Sequence, residues 1–200
     1  GDKFLRVAEE AAMQKPVVIL KVGITQAGGK AASSHTGSLA GADIAYGAAF
    51  RRAGVIRAEN FEALFDYALA FATQPIPAGN RVCVITNAGG PGIMAADAAE
   101  TLGLKMVSPS DASKSKLKAV LPSTAAYGNP VDVIGDAEPD RYIKAFEILQ
   151  DDDNIDAFVV VSTPQNMTRP LELAEKLAKA HKGTKPLLTA MSLSMALVSF

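Results

Sequence analysis

The sequence has no tryptophan, one cysteine, two histidines and only 6% aromatic residues. A lone cysteine closes no internal disulfide and builds no cysteine-based zinc site, and Cys83 lies in the apolar run Val82-Cys83-Val84-Ile85, where it reads as core. A reducing compartment is expected. Charge of neither sign dominates, with 20 Lys and Arg against 21 Asp and Glu, so no overall field points to nucleic acid or an anionic membrane as partner. No apolar run reaches the ~18 residues of a membrane span, and Gly1-Asp2-Lys3 opens on a polar helix rather than a signal peptide. The expectation is a soluble, cytoplasmic protein. Core material is what the chain has in quantity: 48% of its 200 residues are apolar, enough for one large or two small domains.

Apolar positions at helical spacing predict a helix over residues 3–13, ended by Pro16, and the β-branched run 16–22 predicts a strand buried on both faces of a parallel sheet. A loop is expected over 23–36, then a helix over 38–53, a short strand over 54–57, and a helix over 60–72 with Asn60 as N-cap. Two parallel strands make too little sheet to stand alone, so at least one further strand is expected ahead of Lys3. Two prolines and a glycine mark 75–80 as a linker, dividing a domain over 1–74 from one over 81–200. In the second domain strands are expected over 81–86, 104–107, 155–162 and 185–191. Helices are expected over 93–102, 111–120 with Ser110 as cap, 139–150 and 170–181, and 121–136 reads as irregular. This alternation predicts an α/β chain of two flavodoxin-like, doubly wound parallel-sheet domains, the first lacking its N-terminal strand. Ligands of such sheets bind at the carboxyl ends of the strands, where Asn87–Gly92, Asn129–Asp132 and Thr163–Asn166 are expected to gather.

Two stretches carry candidate chemistry. Ser33-Ser34-His35-Thr36-Gly37-Ser38-Leu39-Ala40-Gly41 surrounds His35 with small residues whose hydroxyls and amides can hydrogen-bond phosphate oxygens, the surroundings a phosphoryl-carrying imidazole needs. The same pattern also fits a capping loop in which Thr36 or Ser38 is the N-cap and His35 sits beside it. The second stretch, Val84-Ile85-Thr86-Asn87-Ala88-Gly89-Gly90-Pro91-Gly92-Ile93, is a strand-turn-helix whose backbone N–H groups and positive helix end converge, as an anion requires. It is neither a Walker A loop nor a GxGxxG fingerprint, and a βα turn needing glycine for steric reasons explains it equally well. Candidate phosphate contacts are therefore Ser34, Thr36 and Gly37 around His35, and Asn87, Gly89, Gly90 and Gly92 in the second turn. Asn129 and Asp132 read as loop-end or turn residues, and His181 as a structural group at a helix end. Asp151-Asp152-Asp153 lacks calcium-loop spacing and reads as a solvated turn, and Met167, Met191 and Met195 read as packing. No metal site is expected. His35 has no carboxylate near it in sequence before Asp43.

Lys15-Pro16-Val17-Val18-Ile19-Leu20-Lys21, Ser34-His35-Thr36-Gly37-Ser38-Leu39-Ala40-Gly41, Thr86-Asn87-Ala88-Gly89-Gly90-Pro91-Gly92 and Gly128-Asn129-Pro130-Val131-Asp132, in that order, resemble the ADP-forming acyl-CoA synthetases. These are acetate–CoA ligases of the NDP-forming type, related to succinyl-CoA synthetase, and the resemblance spans about residues 1–190. It implies that His35 is phosphorylated during turnover. It also implies that His35 carries the phosphoryl group between a site where acyl phosphate and CoA react and a distant ATP-grasp domain where ADP and ATP exchange. CoA would sit on a Rossmann domain and magnesium with ATP or ADP on the ATP-grasp domain or subunit, none of them bound by this chain, and the substrate would be a carboxylic acid. Helix N-termini near Asp2 and at Gly90-Pro91-Gly92 would clamp one phosphohistidine between the two domains. The glutamate that orients the histidine in the family would precede Gly1, so these residues alone should not turn over. Residues 192–200 depart from the glycine-ended strand expected there. Two other readings stay open: a regulatory synthetase-like module of a protein acetyltransferase, which senses ligands without catalysing, and a flavodoxin-like ligand-binding domain without chemistry.

Overall fold

The computed structural model describes residues 2–36 and 43–191, and the chain divides into two compact units between Thr73 and Gln74. The first unit runs α1 (Asp2–Ala12), β1 (Val18–Leu20), α2 (Gln26–Thr36), α3 (Asp43–Arg52), β2 (Ile56–Ala58) and α4 (Phe61–Thr73). β1 and β2 pair in parallel with Val18 opposite Ile56. Ala8, Phe50, Ala53 and Val55 form the buried core, with Leu5, Val17, Ile19 and Tyr46 packed against it. Gly54 takes the left-handed conformation (φ 68°) that ends α3, and the N–H of Val55 turns back onto Phe50 O at 2.9 Å. β2 starts from that turn. Asn60 caps α4 as its sequence position predicts, its Oδ1 accepting the Ala63 N–H at 2.8 Å.

The loop expected over 23–36 is mostly helix. Thr25 explains the difference: its Oγ1 accepts the Gly28 N–H at 3.1 Å and its carbonyl accepts the Gly29 N–H at 2.8 Å. This N-cap, followed by Gln26, Ala27, Lys30, Ala31 and Ala32, offsets two glycines that each cost roughly 1 kcal/mol in a helix. Of the helix expected over 38–53, residues 38–42 lie outside the described residues and α3 begins at Asp43.

The second unit runs β3 (Arg81–Thr86), α5 (Gly89–Thr101), β4 (Lys105–Met106), α6 (Asp111–Val120), β5 (Val131–Asp132), α7 (Pro139–Gln150), β6 (Ala157–Ser162), α8 (Pro170–Ala180) and β7 (Leu187–Met191). Its sheet has the order β4-β3-β6-β7, with β5 also on β3 and every strand pairing parallel, so the sheet is wound outward from β3 in both directions. β3 is the central strand and Val82 to Thr86 are all buried, as its unbroken apolar run requires. Tyr142, Phe146, Phe158, Leu149, Leu173 and Leu177 fill the core beside it. Ser110 caps α6, accepting the Ser113 N–H at 3.2 Å, and prolines begin α7 and α8.

β5 lies inside the stretch read as irregular. β4 pairs only with Arg81 and Val82, while β5 pairs with Ile85 and Thr86. Asn129 fills the interval: its Oδ1 accepts the Val84 N–H at 2.9 Å, and its Nδ2 donates to Val82 O and Val107 O, both at 2.8 Å. A side-chain amide here stands in for a residue of strand.

Asp152 is not solvated. It is buried, accepts the Ser110 N–H at 2.7 Å and the Asn154 N–H at 3.0 Å, and so pins α6 to the turn after α7. Burial alone would raise its pKa, but hydrogen bonds from Ser113, Asn154 and Ser110 outweigh it and hold the carboxyl below its usual range. Asp156 is 4% exposed and faces Arg81 at 2.7 and 2.8 Å, and that guanidinium holds its pKa at about 2. No described helix is long and apolar enough to cross a membrane.

Candidate functional site

Within the second unit, the carboxyl ends of β3, β5 and β6 meet at the start of α5. Thr86 ends β3, and its Oγ1 both donates to Ala88 O at 3.0 Å and accepts the Ala88 N–H at 3.1 Å. That closed turn launches α5 at Gly89 rather than at residue 93, so Gly89, Gly90, Pro91 and Gly92 make up its first turn. Ala88 is the N-cap and has no side-chain oxygen with which to cap. Pro91 has no N–H, and Gly92 donates its own to Ala88 O at 3.1 Å. The Gly89 and Gly90 amides are the first-turn donors left, with no hydrogen-bond partner among the described residues.

The three glycines serve different ends. A Cβ on Gly92 would stand 2.8 Å from Thr86 Cγ2, so close approach of α5 to β3 demands glycine there. A Cβ on Gly89 or Gly90 would meet nothing within 4 Å, so packing demands glycine at neither. Gly92 is therefore removed from the candidate phosphate contacts, because its N–H belongs to the helix. Steric need explains Gly92, and access to a ligand is the use left for the glycine pair.

Asn87 also differs from expectation. It is 2% exposed, its Oδ1 accepts from Thr163 N and Oγ1 at 2.9 and 3.0 Å, and its Nδ2 donates to Thr163 O and Thr168 Oγ1, both at 3.3 Å. Its side chain braces the loop after β6 and is not turned to a ligand. Sequence signals for this role are weak, since an asparagine before glycines reads as turn chemistry.

On the far side of the turn, Asp132 Oδ1 accepts the Ile134 N–H at 2.8 Å, and Ile134 is held at φ 72°, a strained conformation for a β-branched residue. Arg141 supports this loop by bonding Val133 O at 3.0 Å and pairing with Asp136. Gly135, Asp136, Pro164, Gln165, Asn166 and Met167 line an open cavity of about 430 Å³ between the loops after β5 and β6. Met167 is exposed there instead of packing, while Met191 lies against the core and Met195 is outside the described residues. Tyr142 beneath the edge donates to Val161 O at 3.2 Å, and burial pushes its phenol pKa up, so it stays protonated.

His35 lies near the end of α2 in the first unit. Beside it, Ser34 donates its hydroxyl to Lys30 O at 3.0 Å, a bond within the helix that withdraws it from the phosphate contacts expected. Thr36 ends α2, and Gly37 lies outside the described residues. Asp43 is paired with Arg57 at 2.6 and 3.1 Å, an ion pair that lowers its pKa, and so it is engaged elsewhere. His181 caps the end of α8 and donates Nε2–H to Lys185 O at 2.6 Å, a structural contact. Among the described residues no three His, Cys, Asp or Glu side chains gather in a metal-holding group.

Family models match both units: a succinyl-CoA ligase like flavodoxin domain over residues 1–71 and a Ligase-CoA domain over residues 82–191. The chain is 46% identical over 177 residues to acetate–CoA ligase [ADP-forming] I of Archaeoglobus fulgidus, covering 88% of this chain and 26% of that protein. It is 43% identical to the alpha subunit of acetate–CoA ligase [ADP-forming] II of Pyrococcus furiosus, covering 91% of this chain and 40% of that subunit. The fold superposes, with a TM-score of 0.87 and 32% identity, on the dinucleotide-forming acetyl-coenzyme A synthetase 1 of Ca. Korarchaeum cryptofilum solved with phosphate and ADP, covering 94% of this chain and 41% of that one. The chain thus spans between about a quarter and two fifths of the length of these relatives.

Proposed function

The chain belongs to the ADP-forming acyl-CoA synthetases, the acetate–CoA ligases related to succinyl-CoA synthetase, and from that premise we propose that it carries the phosphoryl group of such an enzyme on His35. The overall reaction is acid, CoA and ATP giving acyl-CoA, ADP and phosphate. The observation that carries the reading is the uncapped start of α5, where two amides without partners among the described residues border space that no side chain fills. An anion offsets both the unsatisfied donors and the positive helix end.

A neutral imidazole is a competent nucleophile, and the reference pKa near ~6.5 leaves most histidine neutral at pH 7. In the reverse, ATP-forming direction, a ring nitrogen of His35 bonds to the phosphorus of the acyl phosphate as the bond from phosphorus to the acyl oxygen breaks, and the carboxylate departs with that bond's electrons. Displacement of the imidazole by the terminal oxygen of ADP forms ATP and restores His35. Such transfer depends on positioning and on stabilising the charge of the phosphoryl oxygens. Within the second unit the Gly89 and Gly90 amides offer two donors to a phosphate anion, and Gly92 supplies the close packing that aims them.

We assign ATP or ADP and magnesium to an ATP-grasp domain or subunit, CoA to a Rossmann domain, and the acyl group to a carboxylic acid. The buried thiol of Cys83 fits a reducing cytoplasm. The test uses the full-length chain with its ATP-grasp partner, given labelled ATP and magnesium. Label on the protein should be acid-labile and base-stable and should vanish in His35→Ala, and undiminished labelling of that variant overturns the carrier role.

A further inference from the structure

We propose that Asn87 is a positioning residue for phosphate, tying the loop after β6 to the start of α5 so that the Gly89 and Gly90 amides keep their places only while that loop is docked. The inference rests on the phosphate reading of those two amides. Only Ala88 separates Asn87 from Gly89, and Ala88 is held at both its N–H and its carbonyl by Thr86 Oγ1. From Thr86 to Gly92 the turn is thus closed on itself, and Asn87 supplies the side chain that hydrogen-bonds a neighbouring loop.

The chemistry of the partners sets the amide's orientation. A backbone N–H can only donate, so the atom facing Thr163 N is Oδ1, and a backbone carbonyl can only accept, so the atom facing Thr163 O is Nδ2. One side chain therefore takes both backbone groups of Thr163, adding a rung to the β3–β6 ladder beyond its last register pair of Thr86 with Val161. The same Nδ2 reaches Thr168 Oγ1, which is 0% exposed, so the loop is gripped near both ends. The Asn87 carbonyl lies 3.7 Å from where a Cβ on Gly135 would stand, which brings the third loop of the edge against the same residue. A buried amide bonded on all sides moves with the loops it joins, and any shift of Asn87 reaches the two amides through one residue.

Two variants separate positioning from folding. Thr168→Val keeps the volume and removes one acceptor of Nδ2. Asn87→Asp keeps Oδ1 for Thr163 but turns a second oxygen onto the Thr163 carbonyl and adds charge next to the anion. In the full chain with its ATP-grasp partner, run from acyl-CoA, ADP and phosphate, the KM for phosphate should rise a few-fold in Thr168→Val and roughly tenfold in Asn87→Asp, with the KM for ADP unchanged. Loss of folded protein lowers kcat per mole of chain and leaves KM where it was. An unchanged phosphate KM in Thr168→Val, whatever the state of Asn87→Asp, overturns the inference. If the wild-type enzyme takes no acid-labile label on His35, the carrier reading fails first and the inference falls with it. Labelling by wild type with unchanged phosphate KM in the variant removes the inference alone.

Discussion

Two helices of this chain follow a parallel strand and carry paired glycines in their first turn, yet they treat their first-turn amides in opposite ways. At α2, Thr25 accepts the Gly28 N–H through its hydroxyl, and a Cβ on Gly28 would stand 3.1 Å from that oxygen and 3.3 Å from Gly23 Cα. At α5, Ala88 offers no oxygen, and a Cβ on Gly89 or Gly90 would meet nothing. In α2 glycine makes room for a cap that the chain itself supplies. In α5 it leaves donors and space for something from outside. Glycine content does not distinguish the two turns, and the N-cap residue, Thr25 in one and Ala88 in the other, does.

The largest expected effect tests the packing half of that contrast. Gly92→Ala puts a methyl 2.8 Å from Thr86 Cγ2, whose own hydroxyl is held on Ala88, so neither side can yield freely. Overpacking of about 1–3 kcal/mol should exceed the gain in helix propensity and lower the urea midpoint of the full chain. An unchanged or raised midpoint breaks the account of Gly92.

Exchanging the caps gives an intermediate effect. Thr25→Ala should destabilise by about 1 kcal/mol in thermal or urea unfolding. Ala88→Asp should stabilise by a similar ~1 kcal/mol while raising the KM for phosphate, because the new carboxylate occupies the donors that the anion needs. A stabilised Ala88→Asp enzyme with an unaltered phosphate KM would falsify the assignment of phosphate to α5. The smallest effect is expected at Gly90→Ala, which lies two residues before Gly92 and should shift stability the other way. It should gain roughly 0.5–1 kcal/mol, read as a higher melting temperature.

Where local signals are strong, the elements are legible before folding. β3, α6 and α7 occupy the residues that the apolar run Val82–Ile85, the Ser110 cap and the Pro139 start predict. The helix expected at residue 93 begins four residues earlier, because the Thr86–Ala88 turn lets glycines serve as its first turn. α2 is hidden because its small residues carry no apolar period, and its decisive signal is one threonine. β5 is hidden for another reason. Two residues have no pattern of their own, and this strand exists because β4 leaves the upper edge of β3 open and Asn129 spans the interval.

The candidate site divides along the same line. Its family motifs, His35 and the Gly89-Gly90 pair, are read from residue types and their order, because phosphate chemistry restricts which residues can serve. The parts played by Asn87, Asn129, Asp152 and Ser34 are decided by what each meets. Asn87 and Asn129 look alike in the chain, each beside turn formers, and both become substitute rungs on β3, one against Thr163 and one against Val84. Composition and motif order thus determined the α/β class, the family and the carrier candidate. Tertiary structure alone decided which amides stay open among the described residues, because a donor is open only where no other part of the fold reaches it.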